Sequence, residues 1–292
     1  MKKPIYFTKM HGLGNDFIVV DAINQRLDEN TFEDLAKAVC DRHFGIGGDG
    51  LVLVLASDHS EFKMRIFNSD GSEPQMCGNG MRCFAKFVYE SKLTDKEIFS
   101  VETLAGVMIP ALLIKEGVVH AIEVDMGPAV LERAKIPMSQ TGPSPVIQES
   151  MTVAGVTYGV TAVSMGNPHA VIFVEDIEAV ELEKIGPLCE HHPLFPERTN
   201  TEFVQVLNRN EAIMRVWERG AGETLACGTG ACAVTVAGVL NNSLDRKALI
   251  HLPGGDLSIE WQMEGHVMMT GPATTVFTGE IEIEGDFHEK NA

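Results

Sequence analysis

Short apolar runs separated by Gly-, Asn- and Pro-containing turns run through most of the chain, and they predict strands. The first half opens on an apolar segment to Met10, then strands from Phe17 to Asp21, Leu51 to Leu55 and Lys63 to Phe67. Three more short strands follow to about Met126. The second half gives strands from Thr157 to Ser164, Ala170 to Val174, Phe203 to Leu207 and Ile213 to Trp217. Helical spacing predicts helices from Phe32 to His43, with Thr31 as N-cap, and from Leu182 to His191. Two further helices, Met81 to Leu93 and Ala231 to Leu240, are apolar on most sides: Cys83, Phe84, Phe87 and Val88 in one, Cys232, Val234, Val236, Ala237 and Val239 in the other. Helices of that kind are buried ones.

This pattern occurs twice. Displaced by 150 positions, Met64-Arg65-Ile66-Phe67 falls on Met214-Arg215-Val216-Trp217, Glu73 on Glu223, and Cys77-Gly78-Asn79-Gly80 on Cys227-Gly228-Thr229-Gly230. Gly14-Asn15 matches Gly166-Asn167 at 152, and Phe44 matches Phe195 at 151, a drift that loop insertions produce. Two copies at so long a period point to duplicated domains. Each half closes on the same phrase, Met126-Gly127-Pro128-Ala129 and Thr270-Gly271-Pro272-Ala273. The segment after the second phrase is too short to begin a third domain and is expected to return to the first. The strand after each phrase is expected to cross to the opposite half. Short strands with two helices per half indicate an α+β fold. It would consist of two pseudo-symmetric domains, each a curled mixed β-sheet or barrel around a central helix, with the active site in a cleft between them. The expected domains are residues 1–126 plus 274–292, and residues 127–273.

Composition narrows the function. The 292 residues suffice for two buried cores. A formal charge of −18 argues against nucleic acid or an anionic membrane as partner. No apolar run approaches the roughly 20 residues that span a bilayer. Met1-Lys2-Lys3-Pro4-Ile5-Tyr6 has no apolar stretch behind its lysines, so no secretory leader is expected. The six cysteines lack C-x-x-C spacing, and neither disulfides nor zinc is expected.

The Cys-Gly turns carry the chemistry. A cysteine at a helix start meets backbone N–H groups and the positive end of the helix dipole, which favour thiolate. Glycines on either side of the next residue let an anionic ligand approach those N–H groups. A lone buried cysteine is usually an apolar filler, and Cys40, Cys83, Cys189 and Cys232, without counterparts in the other copy, are read so. Cys77 and Cys227 keep the same glycines in both copies, which packing alone does not require. Asn15, Asn68, Asn167 and Asn200 lie in loops beside the repeated elements. His169 and the Glu218-Arg219 pair are ambiguous taken singly. Gly12-x-Gly14 lacks the third glycine and following helix of a dinucleotide site.

Read together, these motifs resemble the diaminopimelate epimerase family, cofactor-independent enzymes that convert LL-2,6-diaminopimelate to the meso form in lysine and peptidoglycan precursor biosynthesis. The resemblance covers nearly the whole chain. It rests on Met10-His11-Gly12-Leu13-Gly14-Asn15-Asp16-Phe17, Phe67-Asn68, Asp70-Gly71-Ser72 and Cys77 through Cys83. It continues in Met165-Gly166-Asn167-Pro168-His169, Glu218 through Thr224, Ala226 through Gly230 and Leu252-Pro253-Gly254-Gly255. It implies that Cys77 and Cys227 are the two bases. Gly78, Asn79, Gly228 and Thr229 would hold the carboxylate at the reacting carbon. Asn15, Asn68, Asn167, Asn200, Glu218 and Arg219 would hold the rest of the substrate, and His169 and Glu218 would position the reacting centre. Many members have Gln where this chain has Gly50. No cofactor or metal, a cytoplasmic location and a homodimer are the accompanying expectations. The alternatives are a two-cysteine racemase acting on proline or hydroxyproline, a thiol redox protein, and a non-catalytic amino-acid binder.

Overall fold

The computed structural model describes residues 4–139, 141–285 and 287–288. It is a mixed α+β protein, mostly strands with few helices, arranged in two sheets. The chain divides into two compact units, residues 1–124 with 271–292, and residues 125–270.

The first unit opens with β1 (Ile5–Gly12), β2 (Asn15–Asp21), the single turn α1 (Ala22–Gln25) and α2 (Phe32–Cys40). It continues through β3 (Gly50–Leu55), β4 (Phe62–Asn68), α3 (Gly78–Glu90), β5 (Val101–Thr103), β6 (Gly106–Met108), β7 (Ala111–Lys115) and β8 (Val118–Pro128), whose last four residues, from Asp125, belong to the second unit. The second contains β9 (Glu149–Val153), β10 (Val156–Ser164), β11 (Pro168–Phe173), α4 (Leu182–Glu190), β12 (Asn200–Asn208) and β13 (Glu211–Glu218). It goes on with β14 (Gly222–Thr224), α5 (Gly228–Leu240), β15 (Lys247–Leu252), β16 (Gly255–Trp261) and β17 (His266–Gly271), after which β18 (Thr274–Ile281) belongs to the first unit again.

In the first unit one sheet runs β18-β1-β2-β3-β4-β5-β6. Its β1–β2 pair is antiparallel and its β2–β3 pair parallel, with Phe17 opposite Gly50. In the second the order β17-β16-β15-β13-β12-β11-β10-β9 repeats that alternation, β10–β11 being antiparallel and β11–β12 parallel. The last segment does return to the first unit, since β18 pairs with β1. The passages between units fall at residues 124–125 and 270–271. Each therefore precedes the Pro-Ala of its closing phrase, and the residues that follow the phrase lie in the opposite unit in both cases. Val130, after the first phrase, bridges to Ser164 within the second unit.

Each unit packs a thirteen-residue helix against its strands, α3 on β1 to β4 and α5 on β10, β11, β12, β15 and β16. Both are buried along nearly their whole length. For α5, apolar nearly all round, hydrophobic burial accounts for this. In α3 the buried set includes Arg82 and Lys86, so the expectation of an apolar helix holds for only part of its surface. Arg82 donates to the Pro272 carbonyl at 3.0 Å and to Asn79 Oδ1 at 2.9 Å. Lys86 donates to Glu90 at 2.7 Å and to the Val119 carbonyl at 3.2 Å. A buried charge persists where such partners exist. Thr31 sits at the N-cap of α2, but its hydroxyl donates back to the Asp28 carbonyl at 2.7 Å and leaves the helix uncapped by its side chain.

The ion pair Arg65–Glu73, at 2.8 Å, recurs as Arg215–Glu223, at 2.9 Å. In both copies it ties a strand to the loop that delivers the cysteine turn. Retention of these residues across the repeat thus has a structural cause.

Cys40, Cys83 and Cys189 are fully buried, and burial pushes each thiol up to about 12. A raised folded-state pKa gives stability that is complete below the unfolded thiol's value, near 8.5, and is lost as pH climbs toward 12. Unfolding free energy in reductant should thus fall above about pH 9, with a slope of up to about 1.4 kcal/mol per pH unit for each thiol. Denaturant titrations of the protein and of Cys40→Ala and Cys189→Ala variants measure this. A profile as steep in the variants as in the parent would refute the assignment.

Candidate active site

Both cysteines are helix N-caps. Cys77 caps α3 with φ −142° and ψ 116°, and Cys227 caps α5 with φ −118° and ψ 106°. The helices therefore begin at Gly78 and Gly228, three residues ahead of the expected starts. Each sulfur accepts a hydrogen bond from the third amide of its helix, from Gly80 N at 3.5 Å and from Gly230 N at 3.3 Å. Gly78 and Asn79, and Gly228 and Thr229, thus occupy first-turn positions, where a helix gives its N–H groups no internal acceptor. The residue after each pair is glycine, and a side chain there would crowd its neighbours. A Cβ on Gly80 would lie 2.7 Å from Ile66 Cδ1, and one on Gly230 would lie 2.9 Å from Glu202 Oε1 and 3.2 Å from Cys227 Sγ.

In the first unit Asn15 meets the cysteine turn directly. Its Oδ1 accepts from Asn79 Nδ2 at 3.0 Å and lies 3.9 Å from Cys77 Sγ, while its Nδ2 donates to Asp49 at 2.7 Å. Asp49 is gripped by Arg42 at 2.8 Å, and Arg42 also pairs with Asp16 at 2.8 Å. Burial opposes ionisation of Asp16, but Arg42 and Lys9 hold its carboxyl well below the usual carboxylate range. The network therefore stays charged and fixes the Asn15 amide. The Asn68 amide donates to Ser72 Oγ at 2.9 Å. Gly50 is paired with Asn68, and a Cβ there would fall 2.6 Å from the Phe67 carbonyl. A side chain at this position would meet the Phe67 backbone.

In the second unit Cys227 is buried, 4% exposed. Its sulfur lies 3.5 Å from Thr229 Oγ1, and Thr229 Oγ1 is 3.4 Å from Asn167 Nδ2. His169, wholly buried, sits 3.0 Å from Asn167 Oδ1 through Nε2. Glu218, half-buried, accepts from Thr224 and faces the Cys227 thiol. Burial raises the Glu218 carboxyl pKa against those two hydrogen bonds. Burial, with the negative charges of Glu218 and Glu202, pushes the Cys227 thiol well above its ordinary value. The helix start favours thiolate here, and burial and the two carboxylates oppose it. Asn200 and Arg219 form a neighbouring pair. Asn200 Oδ1 accepts from Arg219 N at 2.9 Å, and its amide donates to the Pro168 carbonyl at 2.9 Å.

Four supporting residues escaped the sequence reading: Asp49, Arg82, Glu190 and Glu202. Glu190 takes Trp217 Nε1 at 2.8 Å and Gly220 N at 3.0 Å, which anchors the loop that carries Arg219. Only Glu202, a lone carboxylate at the head of an apolar strand, left a signal that sequence could have yielded.

The family model for diaminopimelate epimerase matches residues 7–132 and 161–276. A Moorella thermoacetica protein named diaminopimelate epimerase is 56% identical over 281 residues, 96% of this chain and all of that one. The chain belongs to the diaminopimelate epimerase family. A diaminopimelate epimerase of Methanococcus maripaludis is likewise 56% identical, over 95% of this chain and 99% of its own length. Among solved structures, a PhzF-family phenazine biosynthesis protein of Bacillus anthracis matches with a TM-score of 0.70 at 17% identity, covering 96% of this chain and 100% of that one. A hydroxyproline epimerase of Agrobacterium vitis, with bound trans-4-hydroxy-L-proline, matches at 0.66 and 14% identity, covering 96% and 91%. These two share the fold of the diaminopimelate epimerases; the sequence relatives are what set the family.

Proposed function

We propose that the protein is an isomerase that converts LL-2,6-diaminopimelate to meso-diaminopimelate for lysine and peptidoglycan precursor synthesis. The observation that carries this reading is the pair of cysteine-capped helices, each with its sulfur on a first-turn amide, in a chain whose relatives carry that name. Inverting a carbon that bears hydrogen requires one base to remove the proton and an acid on the opposite face to supply another. Cys77 and Cys227 take these roles, one as thiolate and one as thiol, and exchange them with each turnover. Two sulfurs so coupled titrate as a unit. The amides of Gly78, Asn79, Gly228 and Thr229 hold the reacting carboxylate and stabilise the carbanion-like charge that builds up on it. Asn15, Asn68, Asn167, Asn200, Glu218 and Arg219 bind the remainder of the substrate. His169 and Glu218 position the reacting centre.

The test is incubation of LL-diaminopimelate with the enzyme in deuterated water. Meso product with deuterium at the inverted carbon is expected; no exchange and no inversion would end the reading. Parallel assays with proline and with hydroxyproline separate the racemase alternative. Inversion of those substrates alone would replace the one proposed.

We take the enzyme to act in the cytoplasm. Among the described residues no helix is long and apolar enough to cross a membrane. We take the assembly to be a homodimer. β18 ends its sheet with Val276 and Phe277 about half exposed, the kind of open strand edge that a second copy covers. Sedimentation of a monomer at assay concentration would exclude it.

A further inference from the structure

Three donors converge on the carboxylate of Glu190, the buried last residue of α4. Its Oε1 accepts from Gly220 N at 3.0 Å and from Arg198 Nη1 at 3.1 Å, and its Oε2 accepts from Trp217 Nε1 at 2.8 Å. A backbone amide, a guanidinium and an indole N–H can only donate, so chemistry fixes the direction of all three bonds. Gly186 lies one turn earlier on the same face of α4. A Cβ there would fall 2.5 Å from Trp217 Cδ2, so the indole reaches the carboxylate only because that face is bare.

Two of these donors flank Arg219. Trp217 leads into the turn that carries it, and Ala221 N closes that turn on the Glu218 carbonyl at 3.1 Å, with Gly220 at φ 81°. The third donor governs the other end of the same side chain. Arg219 Nη1 donates to the carbonyl of Glu197 at 3.2 Å, and Glu197 is joined directly to Arg198. Arg198 has φ 64°, a left-handed backbone that a non-glycine residue keeps only where its surroundings enforce it. The Arg198–Glu190 ion pair enforces it, together with Thr199 N, which donates to the Glu190 carbonyl at 3.3 Å. One buried carboxylate thus ties down both the turn that carries the Arg219 backbone and the loop that holds its guanidinium.

We propose that Glu190 is a specificity-determining positioning residue: by fixing those two segments it sets where the Arg219 guanidinium stands, and so the preference for a substrate with a second carboxylate. Its two oxygens are what the three donors need. Glutamine has the same shape but only one oxygen, and its NH2 must face either the indole N–H or the pair formed by Gly220 N and Arg198. Facing the indole loses one bond and keeps two. Glu190→Gln should therefore release Trp217, and with it the start of the turn that carries Arg219.

The inference rests on the proposed role of Arg219 in holding diaminopimelate, and its test separates the two. Ligand-free enzyme labelled with ¹⁵N-tryptophan should give two indole signals, one for each tryptophan, and that of Trp217 is identified by its loss in Trp217→Phe. The Trp217 indole hydrogen should be protected from solvent exchange in the parent and lose that protection in Glu190→Gln, with Trp261 unchanged. KM for diaminopimelate should rise about tenfold in Glu190→Gln with kcat within about threefold, the pattern of lost uniform binding. In an Arg219→Ala background the same substitution should change KM by less than about twofold, because a residue that acts through another then has nothing left to act on. A tenfold rise in both backgrounds would overturn the proposal, as would a parental KM in folded Glu190→Gln. An unprotected Trp217 indole in the parent would overturn it whether or not the variant folds. If the parent leaves diaminopimelate unchanged, the functional reading falls and the role of Glu190 with it; if diaminopimelate turns over and the variant keeps the parental KM, the role of Glu190 alone falls.

Discussion

Cys77→Ser and Cys227→Ser are each expected to cut epimerisation by roughly 10²–10⁴-fold or more, the range for loss of a positioned acid–base group, while the protein still folds. The fold should survive because each sulfur acts structurally as an N-cap acceptor, to Gly80 N and to Gly230 N. A serine oxygen fills that role at least as well. The chemistry should not survive, because a hydroxyl is a far weaker acid than a thiol and does not become the anionic base unaided. Deuterium uptake measured beside inversion separates the two roles, since a variant with one working sulfur still exchanges hydrogen on one face. Near-parental turnover by either variant would remove the two-base assignment.

Arg219→Ala is expected to lower kcat/KM for diaminopimelate by about 1.5–3 kcal/mol, the size of a hydrogen bond to a charged group. The backbone of Arg219 is fixed by Asn200 Oδ1, and its neighbour Gly220 by Glu190. Alanine should therefore leave the loop in place. The guanidinium donates to the Glu197 carbonyl at 3.2 Å, and its planar fork has further donors suited to a bidentate carboxylate. If those donors hold the distal carboxylate, the loss should appear with diaminopimelate and be absent with an analogue that lacks that group. Equal losses with both would show that Arg219 acts on the loop instead.

The duplication, the α+β class and the two cysteine turns were legible in the residues, because Cys, Gly and the Arg–Glu pairs Arg65–Glu73 and Arg215–Glu223 recur at a fixed spacing. The helix starts were misplaced because sulfur is not among the usual capping groups, so the reading began each helix inside its first turn. Arg82 and Lys86 were hidden for another reason. Their partners, Pro272 and Val119, lie far along the chain, and no local pattern announces a charge that distant carbonyls satisfy. Glu202 was missed by one residue, since the apolar run that marks its strand begins at Phe203. Asp49 supports Asn15 only because the parallel pairing of β2 with β3 brings the two turns together, which the sequence does not encode locally.

The pairing of β18 with β1 bears on how the molecule is made. Residues 125–270 form a unit from one uninterrupted stretch, whereas the other unit must recruit β18 after that whole stretch has been synthesised. Domains usually finish in the order in which they leave the ribosome; here the second unit can close while the first still lacks an outer strand. Until then β1 offers a free edge to any passing extended chain, the exposure that invites aggregation. A released chain truncated after Thr270 should therefore protect residues 125–270 from protease and leave β1 open to cleavage. The full chain should protect β1 as well.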